Sequence, residues 1–193
     1  ARLLLDNGAE VDRATKKGTT PLLIACWKGH VDAARLLLDN GAEIDKADED
    51  GWTPLYAACC NGQVDATRLL LERGAEDRAD KNGQTPLDIA KSRRKRAIVA
   101  LLEGHFYPLL AATKAGDVDA MALLLDGGAA VDQAKDGATS LFIACQNGHV
   151  DVARLLLDKG AEVDRAASGR WNKGQTPLHI ACKNGHIGAA RLL

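Results

Sequence analysis

The stretch that decides the fold occupies residues 20–43 and reads TPLLIACWKGHVDAARLLLDNGAE. Recognisable copies of it recur along the chain at intervals of 32 to 37 residues, with one shorter interval of 22. Thr-Pro-Leu or a degenerate version of it opens the copies at Thr20, Thr53, Thr85, Tyr107, Thr139 and Thr176. A unit repeated at this spacing cannot bury its apolar face alone and must stack on its neighbours. The recurrence therefore predicts a solenoid of stacked units.

Each copy carries the signals of two short helices. Thr20 is a good N-cap, Pro21 suits the first helical position, and Gly29 can adopt the left-handed conformation that ends a helix. Apolar residues at helical spacing in residues 31–38 predict an amphipathic second helix. The linking segment 41–51 is polar with glycine at both ends, which predicts a projecting hairpin-like turn.

Four spaced elements of the copy now identify a family. Gly-x-Thr-Pro-Leu, Ala-Cys-x-x-Gly-His, Arg-Leu-Leu-Leu and Gly-Ala-Glu-Val-Asp together resemble the ankyrin repeat, over nearly the whole chain. The resemblance implies an all-α ankyrin-repeat solenoid of stacked helix-turn-helix units with projecting hairpin-like loops. It also implies a surface that binds other proteins.

Departures from the repeat predict two blocks. The copy that begins at Thr85 has Arg94 in the place of Gly, and its projecting loop is deleted, because only 22 residues separate Pro86 from Pro108. Such a polar copy is typical of a terminal cap. The first block is residues 1–106, with a partial repeat 1–17, repeats from about 18 and 51, and a cap-like repeat 83–106. The second is residues 107–193, with repeats from about 107 and 137 and a truncated one from 174. Both ends fall inside a repeat, so we expect a fragment of a longer chain.

Composition bounds the function. The net charge of −1 argues against a general nucleic-acid or anionic-membrane binder, and no run of 18 apolar residues is present. No catalytic signature is found, and the acidic residues recur with the repeat, as solvated edges do. We therefore expect no enzyme activity and no cofactor, and a monomeric segment apart from association of the cut ends.

The cysteines follow the repeat. Cys26, Cys59, Cys145 and Cys182 occupy one repeat position, so neighbouring thiols are expected about 10 Å apart, beyond disulfide reach. They are interpreted as small buried thiols typical of a reducing compartment. We expect an intracellular protein, cytoplasmic rather than nuclear.

Three features leave alternatives open. The basic run from Arg93 to Arg96 is either a nuclear-localisation or phosphate-binding patch or a solvated face of the cap. The long loop 166–173 is either part of the binding side or a neutral insertion. His179, Cys182 and His186 have metal-like spacing, but the repeat itself supplies each of them, so we predict hydrogen-bonding roles at turns and no metal.

The resemblance places the binding surface on the concave side, formed by loop tips and first helices. The positions that match it give the predicted partner-binding residues Leu23, Trp27, Lys28, Trp52, Tyr56, Asn61, Phe142, Gln146 and Lys183, and Trp171 on the long loop is added to them. Buried aromatic anchors commonly dominate binding energy, so the first block's three aromatic residues are the predicted hot spot. Each Trp could instead pack on its own loop.

The sequence thus predicts a non-catalytic protein–protein interaction scaffold. The alternatives are a regulatory or substrate-recruiting segment of a larger enzyme, ubiquitin ligase or channel, and a structural spacer without a dedicated partner. The partner, the organism, the flanking domains and the total number of repeats do not follow from this sequence.

Overall fold

The computed structural model describes residues 3, 5, 7–135, 137–169 and 172–193. The chain divides into two compact units, residues 1–106 and 107–193. The first unit contains helices α1 (Pro21–Lys28), α2 (Val31–Asp39), α3 (Pro54–Asn61), α4 (Val64–Glu72), α5 (Pro86–Ser92) and α6 (Arg96–Phe106). The second contains α7 (Pro108–Ala115), α8 (Val118–Asp126), strands β1 (Ala134–Lys135) and β2 (Ala138–Thr139), and helices α9 (Ser140–Asn147), α10 (Val150–Asp158), α11 (Pro177–Asn184) and α12 (Ile187–Ala190).

The helix boundaries follow from local chemistry. The Thr20 side chain accepts a hydrogen bond from the backbone N–H of Leu23 at 3.1 Å, and Pro21 occupies the first turn. Gly29 ends α1 in the left-handed conformation at φ 75°. Thr139 caps α9 in the same way, although serine replaces the proline of that copy. The predicted all-α solenoid is confirmed, with the two-residue antiparallel ladder of β1 and β2 as a minor addition.

Stacking supplies the stability that such short helices lack alone. Within each unit, the first helices of successive pairs contact one another more extensively than the second helices do. The leucine after each opening Thr-Pro is fully buried at Leu22, Leu55 and Leu87. Leu178, at the same position in the last copy, is 42% exposed because no later helix pair of this chain covers it.

The buried thiols are found as predicted in three of the four copies. Cys26, Cys59 and Cys145 are fully buried, and burial raises the pKa of Cys26 and Cys59 to about 12. The prediction is wrong for Cys182, which is exposed for the same reason as Leu178. All the cysteines are unpaired.

The linking segments form hairpins joined to one another by their backbones. The N–H of Glu49 donates to the carbonyl of Lys17 at 3.0 Å, and the N–H of Lys81 donates to the carbonyl of Asp50 at 3.1 Å. The approach is close, because a Cβ atom added to Gly51 would lie 2.9 Å from the Lys81 nitrogen. Gly51 also has a φ of 83°, so both the close approach and the backbone conformation require glycine there.

The cap-like copy ends the first unit without a hairpin. Helix α6 runs through Phe106, and α7 begins at Pro108. Arg94 keeps the conformation of the glycine it replaces, at φ 57°. The long loop after α10 is closed by a backbone hydrogen bond from Ala167 to Gln175 at 2.8 Å. No helix within the described ranges is long and apolar enough to cross a membrane.

Candidate partner-binding surface

The inner face of the first unit, which we define as its first helices and the hairpins that precede them, carries two tryptophans with exposed ring surface. Trp27 lies in the last turn of α1 and is 41% exposed. The Lys28 ammonium stands 5.5 Å from the centre of the Trp27 ring, within the range of a cation–π contact. Trp52 lies in the hairpin before α3 and is partly buried. Trp27 and Lys28 are therefore exposed side by side, and Trp52 is exposed in part.

Tyr56 supports this face from within. Its ring lies 5.1 Å from the Trp52 ring at an interplanar angle of 42°, and only 2% of the residue is exposed. The Tyr56 hydroxyl donates a hydrogen bond to Asp80 Oδ2 at 3.2 Å. Burial, followed by the negative charge of Asp80, raises the pKa of Tyr56 to about 12. Tyr56 therefore positions Trp52 and stays neutral, and it leaves little surface of its own for the partner contact predicted from the sequence.

Asp80 anchors the next hairpin beneath Tyr56. Burial favours its neutral form, but backbone N–H groups of Gln84 and Asn82 each donate to Asp80 Oδ1 at 2.9 Å. These bonds outweigh burial and hold the pKa of the Asp80 carboxyl below its ordinary value. The ionised carboxylate thus fixes the hairpin and the tyrosine together.

Two further predicted contact residues are buried. Leu23 is 2% exposed, and Phe142 is fully buried in the core of the second unit. Both stand two residues after the proline position, where Asp88 and His179 instead bond back to their capping threonines. A large apolar side chain at this position turns inward because water contact costs free energy. Leu23 and Phe142 therefore leave little surface for the partner contact predicted from the sequence.

Asn61 serves the stack of the first unit. Its side-chain amide donates to the backbone carbonyl of Trp27 at 3.0 Å, and the Gln63 side chain donates to the same carbonyl at 3.3 Å. Two donors from the following repeat thus hold the end of α1 that carries Trp27. The role of Asn61 seen here is to fix the tryptophan that lies one repeat earlier.

The second unit repeats this arrangement. The backbone carbonyl of Gln146 accepts from the Asn184 side chain at 2.9 Å and lies 3.1 Å from His186 Nε2. His149 Nε2 lies 3.2 Å from the backbone carbonyl of Lys114, which occupies the repeat position of Gln146 one copy earlier. Sequence reasoning missed these contacts between repeats, although the recurrence of a polar residue directly after each turn glycine could have indicated them.

The remaining predicted residues lie on the second unit. The Gln146 side chain is partly buried, and Lys183 is exposed near the end of α11. Trp171 lies outside the described residues. Among the residues that the structure describes, no group of three His, Cys, Asp or Glu side chains is arranged to hold a metal ion. His179 bonds to Thr176, with its Nδ1 2.8 Å from the Thr176 hydroxyl.

Stacked helix pairs joined by hairpins, with aromatic and polar side chains on one face, define a repeat solenoid. Family profiles described as ankyrin repeats match residues 40–107 and 103–167 in three-copy form, residues 4–55 in many-copy form, and residues 173–193 as a single repeat. The chain belongs to the ankyrin-repeat family, whose repeats are generally protein–protein interaction modules and typically non-catalytic.

A solved structure supports the same assignment. The chain is similar to the crystal structure of the human ASB11 ankyrin repeat domain, with 30% identity and a TM-score of 0.53. The match covers 99% of this chain and 90% of that one. A search of curated proteins gives no match.

Proposed function

We propose that the chain is a non-catalytic scaffold that binds a protein partner on the inner face of its first unit, with Trp27 and Trp52 as the anchors. The observation that carries this proposal is the exposure of the Trp27 ring, 41% of the residue, on a backbone held by two donors from the next repeat. Because the backbone that carries the ring is already fixed, its ordering costs little on binding.

The chemistry of this face suits a partner with apolar and acidic groups. The Trp27 and Trp52 rings offer area to bury, and Lys28 offers a positive charge beside them. Truncating an aromatic anchor commonly costs about 2 kcal/mol of binding energy or more, roughly a thirtyfold loss of affinity. Tyr56 and Asp80 contribute by positioning Trp52, not by contact.

The second unit is proposed to extend the interaction. Gln146 and Lys183 provide its polar contacts, and Trp171 on the long loop remains a candidate anchor. We propose that the blocks 1–106 and 107–193 act as two arrays of one intracellular, cytoplasmic scaffold. The unpaired thiols agree with a reducing compartment. A recruiting segment of a larger enzyme, ligase or channel would use the same face.

Site-specific photo-crosslinking tests the proposal. A photoreactive residue at Lys28 is expected to capture a specific protein, while one at Arg35, exposed on the second helix α2, is not. The double variant Trp27→Ala, Trp52→Ala should abolish capture at Lys28 and leave the fold intact by circular dichroism. A matched pair, Arg35→Ala with Arg68→Ala, removes two exposed side chains from second helices and should have no effect.

The result that would overturn the proposal is capture at position 35 as strong as at position 28. Capture at position 28 that survives in the folded double-tryptophan variant would equally contradict it. The sequence of the complete gene product separates the scaffold from the recruiting segment, since a catalytic or membrane segment in it would favour the latter.

A further inference from the structure

The basic run of the cap-like copy is divided among three places in the structure. Lys95 lies against Gly62 of the preceding repeat, where a Cβ atom added to that glycine would be 3.0 Å from the Lys95 ammonium. The charge of Arg93 acts on the Tyr56 hydroxyl, where it partly offsets the effects of burial and of Asp80 on the pKa of Tyr56. Arg94 and Arg96 have a different environment.

Arg94 and Arg96 line a groove at the end of the first unit. Its volume is about 490 Å³, and its other lining residues are Lys91, Val99, Ala100 and Glu103. This volume lies within the range of about 300–1,000 Å³ that is common for ligand pockets. A ligand there would meet two guanidinium groups beside an apolar lining.

The groove stands on the face that ordinary repeats use for stacking. Three of its residues correspond, 32 positions earlier, to buried residues of the preceding repeat, namely Lys91 to Cys59, Val99 to Thr67 and Glu103 to Leu71. Thus Lys91 replaces Cys59 and Glu103 replaces Leu71, which are 0% and 4% exposed. Charged residues at these positions disfavour the apolar stacking of another repeat, because burying an unpaired charge is costly.

The charges of the groove leave an excess of positive charge. The Lys91 ammonium lies 3.3 Å from Glu103 Oε1, so these two balance each other. Neither Arg94 nor Arg96 forms an ion pair within the described part of the chain, and both are exposed. Guanidinium groups bind carboxylates through paired, charge-assisted hydrogen bonds.

We propose that this groove is a second binding site, which takes an acidic segment of a partner protein with an apolar side chain between its carboxylates. Arg94 and Arg96 bind the carboxylates, and Val99 and Ala100 contact the apolar side chain. Lys95 lies against Gly62, apart from Arg94 and Arg96 in the groove, so the cations of the run are not one cluster that follows a nucleic-acid backbone. This site is separate from the tryptophans of the inner face.

Fluorescence anisotropy with the full 193-residue chain tests the proposal. The probe is a labelled peptide of glutamates flanking a central leucine, and a single-stranded oligodeoxythymidine of similar charge is the comparison. The groove variant is Arg94→Gly with Arg96→Gln; glycine suits the left-handed conformation of residue 94. The matched control is Arg93→Gln with Lys95→Gln, which removes two charges of the same run outside the groove.

We expect the groove variant to bind the peptide about tenfold more weakly or worse, and the control to stay within about twofold. Replacing the peptide's leucine by serine should also weaken binding, by roughly threefold or more. Arg96→Gln alone, which leaves the turn at residue 94 untouched, should give an intermediate loss and guards against a folding defect.

Three results would overturn the proposal. Equal weakening by the two double variants would reduce the effect to general cationic attraction. Tighter binding of the oligodeoxythymidine, with the same dependence on Arg94 and Arg96, would make the groove a nucleic-acid site. Absence of peptide binding by the wild-type chain up to about 1 mM would mean that no such site exists. The tryptophan variant of the inner face should bind the peptide normally, so the two proposals can fail independently.

Discussion

Replacing Arg94 by glycine should stabilise the first unit. Arg94 lies two residues after the end of α5 with a φ of 57°, and the equivalent glycines of five other copies have φ between 72° and 82°. A side chain in the left-handed region costs roughly 1 kcal/mol, and glycine avoids this cost. For a unit of 106 residues, a gain of about 1 kcal/mol raises the unfolding midpoint by about 4 °C.

The control is the neighbouring substitution Arg93→Gly. It removes the same charge from the same run, but Arg93 has an ordinary φ of −89°. Glycine there relieves no strain and only increases the freedom of the unfolded chain. The free energy of unfolding should therefore fall by roughly 0.5–1 kcal/mol, and the midpoint should fall with it. The two variants should therefore shift the midpoint in opposite directions.

Thermal unfolding followed by tryptophan fluorescence measures these shifts, because two of the three tryptophans, Trp27 and Trp52, belong to the first unit. An equal rise in both variants would mean that relief of charge repulsion, not of backbone strain, is responsible. An unchanged or lower midpoint in Arg94→Gly would refute the reasoning.

Three other outcomes follow from the structure. Iodoacetamide should label exposed Cys182 well before Cys59, because burial raises the pKa of Cys59 to about 12. Mass spectrometry follows the two labelling reactions, and equal rates would contradict this expectation. Phe142→Ala should cost about 3–5 kcal/mol in denaturant unfolding, whereas Gln146→Ala should cost less than about 1 kcal/mol. Because the pKa of Asp80 is lowered in the fold, its stabilisation is present above about pH 4 and is lost as the pH falls through the folded pKa. The difference in free energy of unfolding between wild type and Asp80→Asn should accordingly shrink on acidification, and a difference that grows would contradict this expectation.

The elements could be predicted from the sequence because their signals are local. Thr20 and Pro21 define the start of α1 through a bond within one turn, and Gly29 defines its end through its own backbone conformation. These signals recur in phase, so the order of helices and hairpins follows from them. Arg94 keeps the left-handed conformation of the turn glycines, so the repeat position predicted the backbone conformation even where the residue type changed.

Exposure was harder to predict because it depends on the neighbouring layer. Tyr56 shares its repeat position with exposed His179, yet it is buried because it reaches Asp80 of the next hairpin. Cys182 shares its position with the buried thiols but has no following helix pair in this chain. The separate environments of Arg94 and Lys95 likewise follow from the turn geometry, which cannot be read from the number of charges in the run.

The backbone bonds between successive hairpins have a consequence for variation of the recognition face. Since the hydrogen bonds from Glu49 to Lys17 and from Lys81 to Asp50 use only main-chain atoms, the side chains at the hairpin tips can be randomised without removing the bonds that align them. Gly51 must be excluded from such a library, because any side chain there would collide with the next hairpin, and so must Asp80, whose carboxylate fixes its own hairpin. New specificities could thus be selected on an unchanged framework.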